Sequence, residues 1–261
     1  MYDLAALEAA LAGSVSAGKL HFSPVTGSTN TDALAAARGA ASHGSVYFAD
    51  EQGAGRGRGD HAWQSAAGQG LYVSVLLRPV IPIDRLPLLP LAAGLAAVEA
   101  IREAGGHNVD LRWPNDLMIA ERKTGGILVE SKIEGGEVAF AVVGIGINVH
   151  QRVFDPDLAT PATSLDLEAG RPISRQALLI SLLKSLEREA AGLHEAAAVG
   201  AILKRVEQAS TWVRGRRVDV HGPQACTGVT EGLDEHGFLQ VRTASGMVTV
   251  QTGGIRTAEI G

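Results

Sequence analysis

The sequence predicts an α+β protein, a sheet-rich core flanked by helices, with a small β-barrel at the C-terminal end. Three observations carry this. Four runs rich in β-branched residues follow one another between residues 109 and 147, helical periodicity brackets that block on both sides, and from Val213 onward the chain breaks into short strands separated by glycine-containing turns. Helices that segregate around a consecutive run of strands favour α+β over a regular βαβ alternation. At 261 residues and 46% hydrophobic content the chain can bury a full core, and its length suits one large domain with an appendage. The expected division is 1–211 and 212–261.

Asp3 ahead of Leu4, Leu7 and Leu11 reads as a capped helix ending near Gly13. Residues 21–25 alternate as a strand, and Ser28-Thr29-Asn30 offers short side chains that cap a helix running to about Arg38. Strands are expected over 45–50 and 71–77. Between them, residues 51–70 hold six glycines and no strong periodicity, the composition of a functional or disordered loop. A buried helix is expected over about 87–104. The block of strands then covers 109–113, 117–120, 127–133 and 138–147, with Glu134-Gly135-Gly136 as a tight turn. Helical periodicity returns from about 174 to 194 and again to about 208.

Charge and composition exclude several classes. A net charge of −5 and a pI near 5.9 do not make the cationic face that nucleic acid requires. Cys226 is the single cysteine, so no internal disulfide forms, and Met1-Tyr2-Asp3 has neither the basic nor the apolar region of a secretory signal. A reducing cytoplasm is expected. The most apolar stretch, 86–101, contains Pro87 and Pro90 and is too short to span a bilayer, so no membrane association is expected.

Four clusters carry chemistry. In Glu51-Gln52-Gly53-Ala54-Gly55-Arg56-Gly57-Arg58-Gly59, glycines let backbone amides approach a ligand while the two guanidinium forks bind phosphate or carboxylate. Alone, this describes an anion clamp and a solvated flexible loop equally well. Arg112-Trp113-Pro114-Asn115-Asp116 sets an aromatic, an amide and a carboxylate at a strand end, which is also what an ordinary turn contains. Lys123 precedes Gly125-Gly126, where a solvated turn lysine is the plain alternative. Gly144-Ile145-Gly146-Ile147-Asn148 ends an apolar strand with glycines that admit a ligand or form a bulge.

In order and spacing, from Ser28-Thr29-Asn30 to Gly144-Ile145-Gly146-Ile147-Asn148, these motifs resemble the biotin–protein ligases. The resemblance covers roughly half the chain. It implies a class II synthetase-like biotin/lipoate ligase catalytic domain, with a mixed or antiparallel sheet, followed by an SH3-like barrel. The implied activity is ATP-dependent. The biotin carboxylate attacks the α-phosphate of ATP to form biotinyl-5′-adenylate, and a lysine of a biotin carboxyl carrier protein takes the biotinyl group. By residue, the resemblance implies Lys123, Arg56 and Arg58 as the catalytic cations. Biotin would be held by Ser28, Thr29, Asn30, Gln52, Arg56, Gly57, Arg58, Trp63, Lys123, Gly126 and Gly144. The nucleotide would lie against Arg56, Arg58, Asn115, Lys123 and Asn148, with Asp116 as a Mg2+ ligand. A homodimer is compatible with it. The neighbouring alternatives are a lipoate or octanoate ligase of the same superfamily and a binding module without turnover.

Two departures accompany the resemblance. Gly59-Asp60-His61-Ala62 stands where many relatives are more basic, which implies weaker retention of the adenylate. The motif at Ser28 begins too early for an N-terminal helix-turn-helix, so no repressor role is expected. Other signatures fail. Gly13-Ser14-Val15-Ser16-Ala17-Gly18-Lys19-Leu20 lacks the hydroxyl of a Walker A loop, Ser181-Leu182-Leu183-Lys184 lies inside a helical pattern, and the eight histidines include no zinc motif.

Overall fold

The computed structural model describes residues 2–59, 61–79, 81–105 and 107–258. Asp60, the acidic departure in the glycine/arginine loop, lies outside them. The chain runs α1 (Leu4–Ala10), β1 (Leu20–Thr26), α2 (Thr29–Ala37), β2 (Ser45–Gln52), β3 (Gly70–Leu77), α3 (Leu89–Gly105), β4 (Asp110–Arg112), β5 (Asp116–Ile119), β6 (Arg122–Glu134), β7 (Glu137–Asn148), α4 (Leu165–Ala169), α5 (Arg175–Gly192) and α6 (Ala196–Gln208). The C-terminal strands are β8 (Arg214–His221), β9 (Cys226–Leu233), β10 (Leu239–Thr243), β11 (Gly246–Val250) and β12 (Gly254–Thr257).

Among the described residues the strands form two sheets. The larger has the order β1-β2-β3-β7-β6-β5-β4. Only β1 and β2 pair in parallel, joined through α2, and the remaining neighbours are antiparallel. This is the mixed sheet the sequence leads one to expect. The smaller sheet, ordered β11-β10-β9-β8-β12, is antiparallel, with β11 and β12 as its free edges, so it stays open.

Strand alternation sorts the large sheet into two faces. Leu71, Val73, Val75 and Leu77 of β3, with Ala141, Val143, Ile145 and Ile147 of β7, join the main core beneath α3 and α5. Leu76, Phe140 and Val142 turn to the other face and pack on Ala33 and Ala37 of α2. Past that small cluster, the same face continues as Ser74 and Tyr72 on β3 and Gly144, Gly146 and Asn148 on β7. Register aligns these rows: Ser74 opposes Gly144 and Tyr72 opposes Gly146, while Gly146 and Gly144 oppose Gly126 and Leu128 of β6. Small residues in adjacent strands leave a trough over the sheet.

Two hairpin turns differ instructively. Glu134 pairs with Glu137 across Gly135 and Gly136, whose φ values of +59° and +84° give the two-residue turn predicted from their sequence. Ile119 pairs with Arg122 across Ala120 and Glu121, at φ +47° and +63°, a turn made without glycine that merges what read as separate strands into a continuous hairpin. The short helix α4 is also absent from the sequence expectation, since five residues are too few to show a period. Residues 83–88 form a 3-10 turn leading into α3, so the apolar helix begins two residues later than its periodicity suggests. No helix among the described residues is long and apolar enough to cross a membrane.

The small sheet docks against α6, Trp113 at the end of β4 and the β5–β6 turn. The Trp113 indole donates to Gly237 O at 3.0 Å, Leu111 N donates to Ala209 O at 2.8 Å, and the Arg216 guanidinium lies 3.5 Å from the Trp212 ring centroid. Arg216 also pairs with Glu121 of the unusual turn at 2.6 Å. The contacts carry the β11–β12 connection to the rim of the trough.

Candidate active site

The trough is the floor of a 1390 Å³ cleft. Every site residue named from the sequence lines it: Ser28, Thr29, Asn30, Gln52, Arg56, Gly57, Arg58, Trp63, Asn115, Asp116, Lys123, Gly126, Gly144 and Asn148.

At one end lies a neutral hydrogen-bonding group. Ser28 is the N-cap residue of α2 in backbone position, yet its side chain makes no capping hydrogen bond. This corrects the capping expectation, because the first turn of α2 is turned to the cleft. Thr29 N donates to Gln52 Oε1 at 2.9 Å, and the Thr29 hydroxyl lies 2.8 Å from Ser74 Oγ. Ser74 Oγ donates to Asn30 Oδ1 at 2.5 Å, and Asn30 Nδ2 donates to Glu130 Oε2 at 2.9 Å. Gln52 Nε2 donates to Ser65 Oγ at 2.7 Å. Asn30 can lie there only because Gly144 has no side chain, since a Cβ at 144 would stand 2.0 Å from Asn30 Oδ1.

The glycine/arginine loop is a hairpin pinned at several points, although its glycines predict a large open ensemble. Gly53 N and Ala54 N donate to Thr26 O and Gly27 O at 2.9 and 2.8 Å, and Trp63 N donates to Gly55 O at 2.9 Å. Gly57 N donates to His61 O at 2.7 Å. A Cβ on Gly55 would meet Trp63 O at 2.4 Å, so glycine is required for the two arms to close. The hairpin lays the Trp63 ring over the floor glycines, with Nε1 and Cζ3 standing 2.6 and 3.6 Å from the Cβ positions of Gly146 and Gly126. Trp63 Nε1 is buried with no hydrogen-bond partner among the described residues.

Cations gather at the other end. Lys123 Nζ is 5.7 Å from the Trp63 ring centroid and 2.5 Å from Asp116 Oδ1. Arg112 holds the second oxygen of Asp116, with Nη2 at 2.6 Å and Nε at 3.1 Å. Both carboxylate oxygens of Asp116 are therefore held by cations. Arg56 Nη2 pairs with Glu130 Oε2 at 2.5 Å in a half-exposed position. Arg58 Nη1 donates to Asn115 Oδ1 at 3.1 Å and, across to the small sheet, to Gly253 O at 2.7 Å. Burial lowers the Arg58 pKa, with the charge of Asp116 opposing. The guanidinium still carries its charge.

Asn115 and Asn148 hold protein groups. Asn115 Nδ2 donates to Ile127 O at 2.7 Å, while Asn148 Nδ2 donates to Thr163 O at 3.1 Å and its Oδ1 accepts from Gln151 at 3.3 Å. Lys123 N donates to Pro161 O, and Thr163 N to Lys123 O. Residues 149–164 thus edge the cleft, a segment in which sequence reasoning found no motif. Also missed were Ser74 and Glu130, which hydrogen-bond to the lining residues Thr29, Asn30 and Arg56, and the rim residues Thr252, Gly253 and Arg256. Ser74 had a usable signal, a polar residue in the otherwise apolar run of β3, whereas Glu130 is one of several polar residues on β6. The rim residues have none.

Asp116 yields a pH prediction. Burial acts to raise its pKa, but Lys123 and Arg112 outweigh that and hold it below the ordinary 3.8. A depressed folded pKa means that the stabilisation is complete above the ordinary value and is lost as pH falls through the folded one. Asp116→Asn is expected to lower the urea midpoint at neutral pH, and the wild-type and variant midpoints to converge as pH drops below 3.8. Parallel midpoints down to acid unfolding would exclude the ion pair as the cause.

Residues 22–148 match the family model described as the biotin/lipoate A/B protein ligase family, and residues 215–255 match the biotin protein ligase C terminal domain. Biotin--[acetyl-CoA-carboxylase] ligase of Mycobacterium tuberculosis is 34% identical over 88% of this chain and 85% of its own length. The bifunctional ligase/repressor BirA of Escherichia coli is 31% identical over 95% and 77%. Among solved structures, the biotin protein ligase from Aquifex aeolicus in complex with biotin and ATP is 30% identical and superposes with a TM-score of 0.78 over 92% of this chain and 98% of that one. The chain spans about half the length, 53%, of the Bacillus BirA proteins it also matches. With both models in order along the chain and the site motifs in one cleft, the chain belongs to the biotin protein ligase family.

Proposed function

We propose that the chain is an ATP-dependent biotin–protein ligase. One observation carries the reading: a neutral donor and acceptor group at Thr29, Asn30 and Gln52 shares a cleft with Lys123, Arg56 and Arg58. A cyclic urea needs the first and an acyl phosphate the second. In the first step a carboxylate oxygen of biotin bonds to the α-phosphorus of ATP, and the bond to pyrophosphate breaks. In the second, the amine of an acceptor lysine bonds to the acyl carbon, AMP leaves with the electron pair, and the amine gives up a proton. Both steps bring anions together, so fixed cations already in place lower the barrier.

Lys123, compact and held at Asp116, bridges carboxylate and α-phosphate. Arg56 and Arg58 bind the flanking oxygens, Trp63 walls the apolar ring and chain, and Gly57, Gly126 and Gly144 admit the ligand close to the backbone. Ser28, Thr29, Asn30 and Gln52 face the ureido group. Asn115 and Asn148 support the nucleotide side by bracing the loop and the 149–164 segment. Mg2+ belongs to this chemistry as a partner of ATP. The residues present do not fit a protein-held ion, since both Asp116 oxygens are ion-paired and no group of three or more His, Cys, Asp or Glu side chains clusters among the described residues. Nucleotide phosphates and water are the natural oxygen ligands. The acceptor is a biotin carboxyl carrier protein, the compartment the cytoplasm, and the domain division 1–211 and 212–261, which separates the two sheets.

The purified protein is expected to catalyse biotin-dependent exchange between labelled pyrophosphate and ATP and to label a carrier domain on its lysine. No exchange would overturn the reading. The first family model also spans lipoate ligases, so lipoate offered in parallel is expected to support at most a small fraction of the biotin rate. The reverse preference would replace biotin with lipoate.

A further inference from the structure

Three polar contacts at the closed end of the cleft have only two hydrogens to fill them. The Thr29 hydroxyl is 3.1 Å from Gln52 Oε1 and 2.8 Å from Ser74 Oγ, and Ser74 Oγ is 2.5 Å from Asn30 Oδ1. Thr29 and Ser74 each own one hydroxyl hydrogen. The two amides could supply more if they turned round, and each is prevented. Gln52 keeps its oxygen toward Thr29 because Thr29 N donates to it. Asn30 keeps its oxygen toward Ser74 because its nitrogen faces Glu130 Oε2 at 2.9 Å. Leu128 O also accepts from Asn30 Nδ2, at 3.5 Å, but at that length Glu130 decides the orientation. Ser74 therefore donates to Asn30, and Thr29 spends its hydrogen on Ser74 or Gln52. In either case Thr29, which lines the cleft, keeps free lone pairs on Oγ1, and one of the three contacts is short of a hydrogen.

We propose that Glu130, a residue of β6 beside the cleft, is a positioning and specificity-determining residue that makes Thr29 a hydrogen-bond acceptor and so selects a ligand with an N–H donor there. This rests on the proposed function, in which a cyclic urea N–H fills the deficit. Without an acceptor at 130 the Asn30 amide turns, its nitrogen donates to Ser74, Ser74 donates to Thr29, and Thr29 donates to Gln52. All three contacts are then satisfied internally, and the site no longer favours an N–H donor. Ser74, fully buried, relays the effect.

Glu130 also pairs with Arg56 on the same oxygen, and the test separates the two roles. Glu130→Met removes the acceptor, whereas Glu130→Gln keeps an oxygen for Asn30 and loses the charge opposite Arg56. The Kd for biotin is measured by calorimetry and kcat by pyrophosphate exchange, for wild type, both variants, Ser74→Ala and Glu130→Met/Ser74→Ala, with thermal unfolding as a check on folding. Ser74→Cys, a similar shape with a weaker donor, substitutes if Ser74→Ala does not fold. Glu130→Met is expected to weaken biotin binding about tenfold, one ordinary hydrogen bond, with Glu130→Gln within about threefold of wild type. The double variant is expected to bind no more weakly than Ser74→Ala alone, because the relay is already cut. A Glu130→Met Kd within about twofold of wild type, a Glu130→Gln defect equal to it, or additive losses would overturn the proposal. Biotin binding without exchange in the wild type would overturn the proposed function while leaving this test readable. A wild type that does not bind biotin would overturn both.

Discussion

Lys123→Ala is expected to slow biotinyl-adenylate formation in a single turnover by about two to three orders of magnitude, the loss that follows removal of one preorganised electrostatic group. The structure gives reasons for the size of the effect and for its separation from folding. Lys123 stands against Trp63 and Asp116, so its charge is held in place before substrate arrives, and water must reorganise to replace it. Asp116 retains the two-pronged contact from Arg112 in the variant, which keeps the buried carboxylate paired. The expected signature is a fall in rate with biotin affinity changed far less and the unfolding midpoint close to wild type. An unchanged single-turnover rate would remove Lys123 from the reaction.

Gly144→Ala is expected to raise the Kd for biotin by about a hundredfold, the order that losing two ordinary hydrogen bonds costs. The added Cβ would stand 2.0 Å from Asn30 Oδ1 and 2.8 Å from its Cγ, so the amide must leave its place. With it go the contacts to Ser74 and Glu130. The backbone of β7 cannot yield instead, because Gly144 sits in mid-strand between Ser74 of β3 and Leu128 of β6. Gly200→Ala, with open space around the added carbon in α6, serves as the control and is expected to leave binding and turnover unchanged. Binding in Gly144→Ala equal to that control would mean that Asn30 has no part in holding the ligand.

Much of the site was legible without the fold. Glycine, arginine and lysine have backbone and charge properties that are local, so Gly55 to Arg58, Lys123 and Gly144 announce close approach and anion binding from residue type and spacing. Runs rich in β-branched and aromatic residues along 71–77 and 138–147 placed the strands, and Glu134 to Gly136 their turn. Asn30 shows where local reading stops. Its position suggested a helix cap or a ligand contact, and the structure makes it the middle member of a buried line from Thr29 to Glu130.

Residue type and spacing alone yield the α+β class, the succession of strands along the chain, and the inventory of cations, amides and glycines. Their pairing comes from the folded arrangement: Arg56 with Glu130, Asp116 with both Lys123 and Arg112, and Arg58 with Gly253, 195 residues away. Hydrogen bonds and ion pairs across such separations are set by sheet register and by the docking of the second sheet. They leave no periodic trace in the chain, because no local repeat connects the residues that make them.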